Sequence, residues 1–236
     1  MNKDYLMALA QDATNDAELS SRDIPAIDLY VDQIINLISG KLEEGSERHR
    51  SRVLTKTMVN NYSKDGIITP VKGKKYTREQ VTQILCVYSL KNTLSIGEIK
   101  RLLDGAYGIE GFGARQLTEL YDRHQNIKDR TREYSSTLLS EGILEALELD
   151  PSDDVDYIAT VCALVSMSAH LKNIAQAMID EKFPEPVEDD ESEKEKDKEK
   201  DKQKDKEKKA KEKEKDKQKD KEKPKKKKEA QDAQAE

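Results

Sequence analysis

Residues 54–103 read LTKTMVNNYSKDGIITPVKGKKYTREQVTQILCVYSLKNTLSIGEIKRLL, and this stretch contains three helix signals joined by a short basic turn. The first helix is expected over residues 55–65, ending at Gly66, because glycine readily adopts the left-handed conformation that closes a helix. Two capping boxes, in which Thr or Ser is followed three residues later by Gln or Glu, predict the next helix starts at Thr77 and Ser95. The stretch therefore predicts a unit built from short helices.

Between the first two helices, the sequence favours a short ribbon. Ile67, Ile68 and the pair Pro70-Val71 are typical of extended chain. The residues Lys72-Gly73-Lys74 favour a turn that carries two cations, and Tyr76 is expected on the returning strand. A short helix, a basic ribbon and two further helices follow one another in the order of a winged helix-turn-helix. We therefore expect a mainly α fold of that type.

These residues resemble the DNA-binding domain of MerR-type transcriptional regulators. In that family a recognition helix ends in Gly and two aliphatic residues, and a small wing ends in Tyr. The next helix opens with a Ser or Thr cap. A last segment combines Ser, Glu-Ile and a Leu pair. The matching residues here are Tyr62 with Gly66-Ile67-Ile68, Lys74 and Tyr76, Thr77, and LSIGEIKRLL at 94–103. The resemblance implies a regulator that reads duplex DNA with a recognition helix and a basic wing.

The N-terminal half also resembles a Firmicutes family known as domain of unknown function 1836. The resemblance begins with an Ile-Pro start at Ile24-Pro25 and continues through residues 54–103. It implies a bacterial domain of MerR-like type and adds no activity of its own.

The charge distribution singles out the same part of the chain. Residues 48–78 hold nine cations and one anion, whereas residues 1–47 hold three cations and ten anions. Because duplex DNA is a polyanion, this basic island favours nucleic-acid binding. The residues expected to contact DNA carry hydroxyl, amide or cationic groups on the first helix and the wing: Thr55, Lys56, Thr57, Asn60, Asn61, Tyr62, Lys64, Lys72, Lys74, Lys75, Tyr76 and Arg78. The acidic surroundings favour the alternative, a winged-helix protein–protein interaction module without DNA binding.

Composition divides the chain into four predicted segments. Residues 1–22 are expected to form a flexible N-terminal arm, and residues 23–104 the MerR-like winged-helix domain. A glycine-rich stretch then leads into a small helical dimerisation domain at 114–183. Residues 184–236 form a Lys/Glu/Asp-rich low-complexity tail. The tail is expected to be disordered, because residues 188–236 hold 20 Lys and 19 acidic residues and no aliphatic residue larger than Ala.

Two further helices are predicted outside the basic island. Residues 27–38 place aliphatic side chains on one face of a scaffold helix, which Gly40 is expected to end. Residues 155–179 are apolar on nearly every side, so this helix must be covered either by a self-contained bundle or by a second copy of the chain. We favour the homodimer, because DNA-binding modules of this kind usually read two half-sites with two-fold symmetry.

No spacing of chemistry-bearing residues indicates an enzyme, a metal site or a cofactor site. His49, His124 and His170 have no Cys or carboxylate partner at ligand spacing. Cys86 and Cys162 fall in apolar helical patterns and are expected to be buried thiols. Without a secretory signal or an uninterrupted apolar stretch, the chain is expected to be cytoplasmic and to have no membrane contact. The sequence does not identify a small-molecule effector.

Overall fold

The computed structural model describes residues 2–51 and 53–185. This part of the chain is mainly helical, which confirms the predicted class. The α-helices are α1 Lys3–Thr14, α2 Val31–Leu42, α3 Lys56–Lys64, α4 Arg78–Leu90, α5 Ile96–Tyr107, α6 Ala114–Thr137 and α7 Asp154–Lys182, and the strands are β1 Leu29–Tyr30 and β2 Lys75–Tyr76. A π-helical segment, Leu138–Glu145, follows α6. The predicted tail lies outside the described residues from position 186 onward.

The starts of α4 and α5 are set by local sequence signals. The Thr77 hydroxyl accepts a hydrogen bond from the Gln80 amide at 3.3 Å, and the Gln80 side chain accepts one from the Thr77 amide at 2.9 Å. Ser95 and Glu98 form the same reciprocal pair at 3.2 and 2.6 Å. Each pair satisfies N–H groups that have no partner within the helix. Both predicted capping boxes are confirmed.

The main core is centred on α4. This helix packs against α5, α6 and β2. Ile84 and Val87 have no solvent exposure, and the neighbouring Thr82 is equally buried. The Thr82 hydroxyl satisfies its hydrogen-bonding capacity by donating to the Arg78 carbonyl at 3.0 Å. Apolar side chains from α2, α3, α5 and α6 complete the same cluster, so these helices share one core with α4.

The ribbon is paired differently from the sequence expectation. β1 and β2 run antiparallel, with Leu29 opposite Tyr76 and Tyr30 opposite Lys75. Tyr76 therefore returns against the chain that precedes α2, and not against residues 67–71. Leu29 and Tyr76 are both buried, so this pairing places two large apolar side chains in the core. The predicted turn is nevertheless present at Gly73, whose φ is 86°.

The predicted scaffold helix exists, but its ends differ from the prediction. α2 begins at Val31, after the extended residue Tyr30, and continues through Gly40 to Leu42. Ile34 and Ile38 lie on its buried face, as the spacing predicts. The glycine does not end the helix, because the buried Leu42 extends the apolar face by one more turn.

The first residues form a packed helix where the sequence predicts a flexible arm. α1 packs against α6. Leu6 is buried beside Leu139 and Leu144 in a second, smaller apolar cluster. Lys3 Nζ also lies 3.0 Å from a carboxylate oxygen of Glu145. The stabilising partners of α1 are thus far away in the sequence, and its short apolar pattern alone could not indicate them.

The glycine-rich stretch does not divide the main core, which continues from residues 23–104 into α6. Gly105 lies inside α5, where an added Cβ would overlap the Phe183 ring. Leu117 and Tyr121 of α6 belong to the main core, and the Tyr121 hydroxyl donates to the Leu19 carbonyl at 2.6 Å. Residues 23–104 and the first turns of α6 therefore share one core.

α7 packs near its start, where Tyr157 contacts the cluster of Leu139 and Leu144, and at its C-terminal end, and it is exposed along most of its length. Arg101 donates to the Asp180 carboxylate at 2.8 Å and to the Phe183 carbonyl at 3.1 Å, and Gln176 donates to Glu98 at 2.6 Å. The exposed side chains are Val155, Ile158, Val161, Cys162, Leu164, Val165, Leu171, Ile174 and Met178. Cys162 is thus not the buried thiol that the sequence predicts. The described residues do not cover this helix as a self-contained bundle would.

Candidate nucleic-acid interface

α3 presents a polar face because its other side is fixed in the core. Val59 is fully buried and Tyr62 is 5% exposed. The helix begins where the Thr55 hydroxyl accepts a hydrogen bond from the Met58 amide at 3.2 Å. It ends before the left-handed Gly66, whose φ is 65°, as predicted. The side chains left exposed on this helix are Lys56, Thr57, Asn60, Asn61 and Lys64.

The ribbon adds three more exposed cations, Lys72, Lys74 and Lys75. Lys75 Nζ lies 5.1 Å from the centre of the Tyr30 ring, a distance at which the ring quadrupole attracts a cation. Because Tyr30 is the strand partner of Lys75, this contact fixes one ammonium group on the sheet. Lys72 and Lys74 lie on either side of the turn at Gly73.

A groove of about 690 Å³ lies between α3 and the ribbon. Five of the predicted contact residues line it, namely Lys56, Asn60, Lys64, Lys74 and Tyr76. The first three follow one another at four-residue spacing, which places them on one face of α3. Three ammonium groups and one amide therefore border the groove. Cations suit phosphate oxygens, and amides suit base edges.

Sequence reasoning missed the part that β1 and α2 play in this groove. Tyr30, Val31 and Asp32 also line it. Asp32 Oδ2 lies 3.5 Å from Lys56 Nζ, and both side chains are exposed. Such an exposed ion pair contributes little to stability, so a phosphate can compete for the lysine. The sequence does show an aromatic residue and a carboxylate, Tyr30 and Asp32, at the start of the scaffold helix. Only the pairing of β1 with β2 shows that they lie beside α3.

Four of the predicted contact residues make contacts within the protein. Tyr62 and Tyr76 are 5% and 7% exposed, and burial raises the pKa of both phenol groups. Thr55 caps α3 through its hydroxyl. The Arg78 guanidinium donates to the Ser21 carbonyl at 2.8 Å and so ties α4 to the N-terminal segment. These contacts support α3 and the ribbon from within the protein, and the side chains of the other eight predicted residues are exposed.

A buried amide network fixes the start of the ribbon on α4. Gln83 Oε1 accepts hydrogen bonds from the Thr69 amide at 2.9 Å and the Thr69 hydroxyl at 3.2 Å. Gln80 Nε2 donates to the carbonyls of Thr69 and Pro70 at 3.1 and 3.0 Å. Gln83 and Gln80 are 1% and 5% exposed, so loss of either partner would leave a buried polar group unsatisfied, at a cost of about 1–3 kcal/mol. The core therefore determines where the ribbon lies.

Comparison with known proteins gives one family match. No curated protein and no solved structure matches the chain. The likeness to MerR-type regulators stays a prediction, since the matching family is described only as a Domain of unknown function (DUF1836). The match to that family covers residues 19–124, confirms the resemblance inferred from the sequence, and includes every residue that lines the groove.

Proposed function

We propose that the chain is a DNA-binding transcriptional regulator of the MerR-like winged-helix type that acts in the cytoplasm as a homodimer. The observation that carries the proposal is the groove, where Lys56, Asn60 and Lys64 on one face of α3 stand opposite Lys74 of the ribbon. A polyanion with hydrogen-bonding edges is the partner that matches this set of side chains.

The dimensions of α3 support its role as the recognition helix. Its nine residues span about 13 Å at 1.5 Å per residue, and the major groove of B-DNA, about 12 Å wide, admits an α-helix. Asn60 and Asn61 carry the amides that can pair bidentately with adenine. Lys56 and Lys64 stand at the two ends of the same helix, from where they can reach phosphates of the flanking backbone.

The exposed surface of α7 supports pairing of two copies. Leu164, Leu171, Ile174 and Met178 are 39%, 56%, 57% and 68% exposed. They follow one another at intervals of seven, three and four residues, the spacing of a coiled-coil seam. A second α7 would bury this seam and would give the dimer the two-fold symmetry with which such proteins read paired half-sites.

α7 also has the length and composition of a membrane-spanning helix. It contains 29 residues, and its most apolar 18-residue window has a mean hydropathy of 1.3. Length and composition alone are weak evidence for a membrane span, and only 6% of this window is buried, so α7 is not a covered core helix either. Arg101 of α5 donates to Asp180, and Gln176 donates to Glu98 of α5, so the C-terminal end of α7 is held on the protein. This anchoring favours a protein partner over a bilayer.

The test is selection of fragments from sheared genomic duplex DNA by the purified full chain, followed by footprinting. We expect enrichment of a two-fold symmetric site whose half-sites are protected about one helical turn apart. Lys56→Ala combined with Lys64→Ala should abolish the enrichment and leave the thermal unfolding temperature unchanged. If the unmutated protein enriches no sequence, the protein-interaction module becomes the better description, and Asp32 in the groove is the feature that favours it.

A further inference from the structure

A second cavity, away from the basic groove, lies between α4, α5 and α6 and has a volume of about 220 Å³. Its walls include the aliphatic side chains of Leu90, Leu103, Ala106 and Leu120, and its polar groups include Cys86 and His124. We propose that this cavity is a regulatory site for a small molecule with one apolar ring and one hydroxyl group, of the phenol class, whose binding is transmitted to the ribbon.

The size and lining of the cavity indicate a single-ring ligand. A cavity of roughly 150 Å³ lined by aliphatic and aromatic side chains stays dry and binds benzene. The present cavity is larger and open on the side of Leu120, which is 43% exposed, so it accommodates a ring with one or two small substituents. Because most of its wall is aliphatic, transfer of an apolar ring from water into it is favourable.

The hydrogen-bond network beside the cavity specifies the polar group of the ligand. Glu18 accepts from the Gln125 amide at 2.9 Å and from the Ser89 hydroxyl at 2.8 Å. The Ser89 hydroxyl has one hydrogen, so at its 3.1 Å contact with His124 Nε2 it must be the acceptor. His124 therefore carries its proton on Nε2 and keeps Nδ1 as an acceptor. Burial lowers the pKa of His124, which keeps the ring neutral at neutral pH.

The other polar groups at the cavity do not compete for that role. The Tyr121 hydroxyl is committed to the Leu19 carbonyl at 2.6 Å. Burial raises the pKa of the Cys86 thiol to about 12, so Cys86 stays protonated and is neither a nucleophile nor a metal-binding thiolate at neutral pH. His124 lines the cavity, so the polar contact in the proposal is a ligand hydroxyl that donates to His124 Nδ1.

The residue that follows Ala106 of the cavity wall begins a short chain of hydrogen bonds to the ribbon. Ala106 lines the cavity, and the next residue, Tyr107, accepts from Gln83 Nε2 at 2.8 Å and donates to Glu79 at 2.8 Å. Gln83 in turn accepts from the amide of Thr69, where the ribbon segment begins. A ligand that moves α5 against α4 therefore displaces Tyr107 and changes the support of the ribbon. The regulatory consequence rests on the proposed DNA binding, whereas ligand binding itself does not.

The binding test uses 4-methylphenol and its hydroxyl-free analogue toluene as probes, with the full chain and titration by NMR. We expect 4-methylphenol to bind about three- to tenfold more tightly than toluene, the ratio that one net hydrogen bond gives. Ala106→Leu fills the cavity and should weaken 4-methylphenol binding by about tenfold or more. The matched control, Ala114→Leu, adds the same side chain at an exposed position of α6 and should leave binding unchanged.

A third variant keeps the proposal testable if Ala106→Leu does not fold. His124→Leu retains an apolar wall and removes the acceptor, so the preference for 4-methylphenol over toluene should disappear. Equal binding of the two probes by the unmutated protein, or 4-methylphenol binding that survives Ala106→Leu in a folded protein, would overturn the assignment of the site.

The coupling between ligand binding in the cavity and the ribbon is measured without DNA, through hydrogen exchange of the Thr69 amide. Saturating 4-methylphenol should change this exchange rate by about threefold or more in the unmutated chain, because opening the Thr69–Gln83 bond exposes the amide. Tyr107→Phe, which lacks the hydroxyl, should bind the probe and show no such change. A bound probe that leaves Thr69 exchange unaltered would refute the regulatory part. Because neither readout involves DNA, this failure is distinguishable from a failure of the proposed function.

Discussion

The paired substitution Lys74→Ala and Lys75→Ala tests whether the ribbon contacts the DNA backbone. Both lysines are exposed on β2 or the turn before it, and neither side chain contributes to the core. Their removal should weaken binding to all duplex sequences alike, because phosphate contacts carry no base information. It should also make binding less sensitive to salt, since fewer counterions are released.

The expected slope follows from the number of exposed lysines on α3 and the ribbon. There are five in each subunit: Lys56, Lys64, Lys72, Lys74 and Lys75. At about −0.9 per phosphate, five contacts in each half of a dimer give a slope of about −9 in log K against log salt, and three contacts give about −5.4. Between 50 and 200 mM salt, these slopes correspond to losses of about 3 × 10⁵-fold and about 2 × 10³-fold.

Fluorescence anisotropy of a labelled duplex, measured over that salt range, checks the prediction. The matched control is Arg115→Ala with Arg130→Ala, which removes two exposed cations from α6 and produces the same change in net charge. Its slope should equal that of the unmutated chain. If the control flattens the slope as much as the ribbon variant does, the effect is one of overall charge, and the assignment of the ribbon as a DNA contact is wrong.

Four further outcomes are expected. Asn60→Ala should relax the preference at one base position by about 1–3 kcal/mol of discrimination, measured by binding to a set of single-base operator variants. Leu164→Asp should convert a dimer into a folded monomer in light scattering, since it places a charge in the α7 seam; a monomeric unmutated chain would contradict the pairing. Burial lowers the pKa of His124 in the folded protein below its unfolded value near 6.5. The contribution of the neutral imidazole to the free energy of unfolding is therefore complete above pH 6.5, and it is lost as the pH falls through the lower folded-state pKa. His124→Gln should therefore lose less thermal stability between pH 7.5 and 5 than the unmutated chain. Deletion of residues 188–236 should leave non-specific DNA affinity within about threefold, because their 20 Lys and 19 acidic residues nearly cancel.

The elements that sequence predicts well are those whose signals are local. A capping box needs only two side chains three residues apart, so the starts of α4 at Thr77 and of α5 at Ser95 could be found without any knowledge of packing. The end of α3 is equally local, because Gly66 adopts the positive φ that closes the helix. The exposed polar face of α3 follows from the same short stretch.

The elements that sequence misses depend on contacts between distant residues. Tyr76 pairs with Leu29, and the turn residues near Gly73 do not indicate that the partner strand precedes α2. Gly105 has the composition of a loop but lies in α5, where the absence of a Cβ makes room for the Phe183 ring. A glycine that permits close packing is indistinguishable, in one sequence, from a glycine that interrupts a helix.

The sequence identified the residues of the candidate site, but it could not show which of their side chains are buried and which are exposed. The sequence placed Lys56, Asn60 and Lys64 on one short helix, and the structure brings all three to the same groove. The burial of Tyr62 and Tyr76 could not be read from the sequence, because an aromatic residue on an amphipathic helix or a ribbon suits a core and a binding surface equally well. Only the three-dimensional structure shows that both rings are buried and that Tyr76 also borders the groove.

The contacts between α7 and α5 would determine the distance between the two basic grooves in the proposed dimer. Arg101 and Glu98 of α5 hold the C-terminal end of α7 through Asp180 and Gln176, and α5 packs on α4, which supports the ribbon through Gln83. If two copies pair along α7, each basic groove is connected to the dimer axis through packed helices and not through a flexible linker. The spacing of the two half-sites is then a property of the folded dimer. A change that frees α7 from α5, such as Arg101→Ala, should therefore broaden the accepted half-site spacing while each subunit still binds a single half-site.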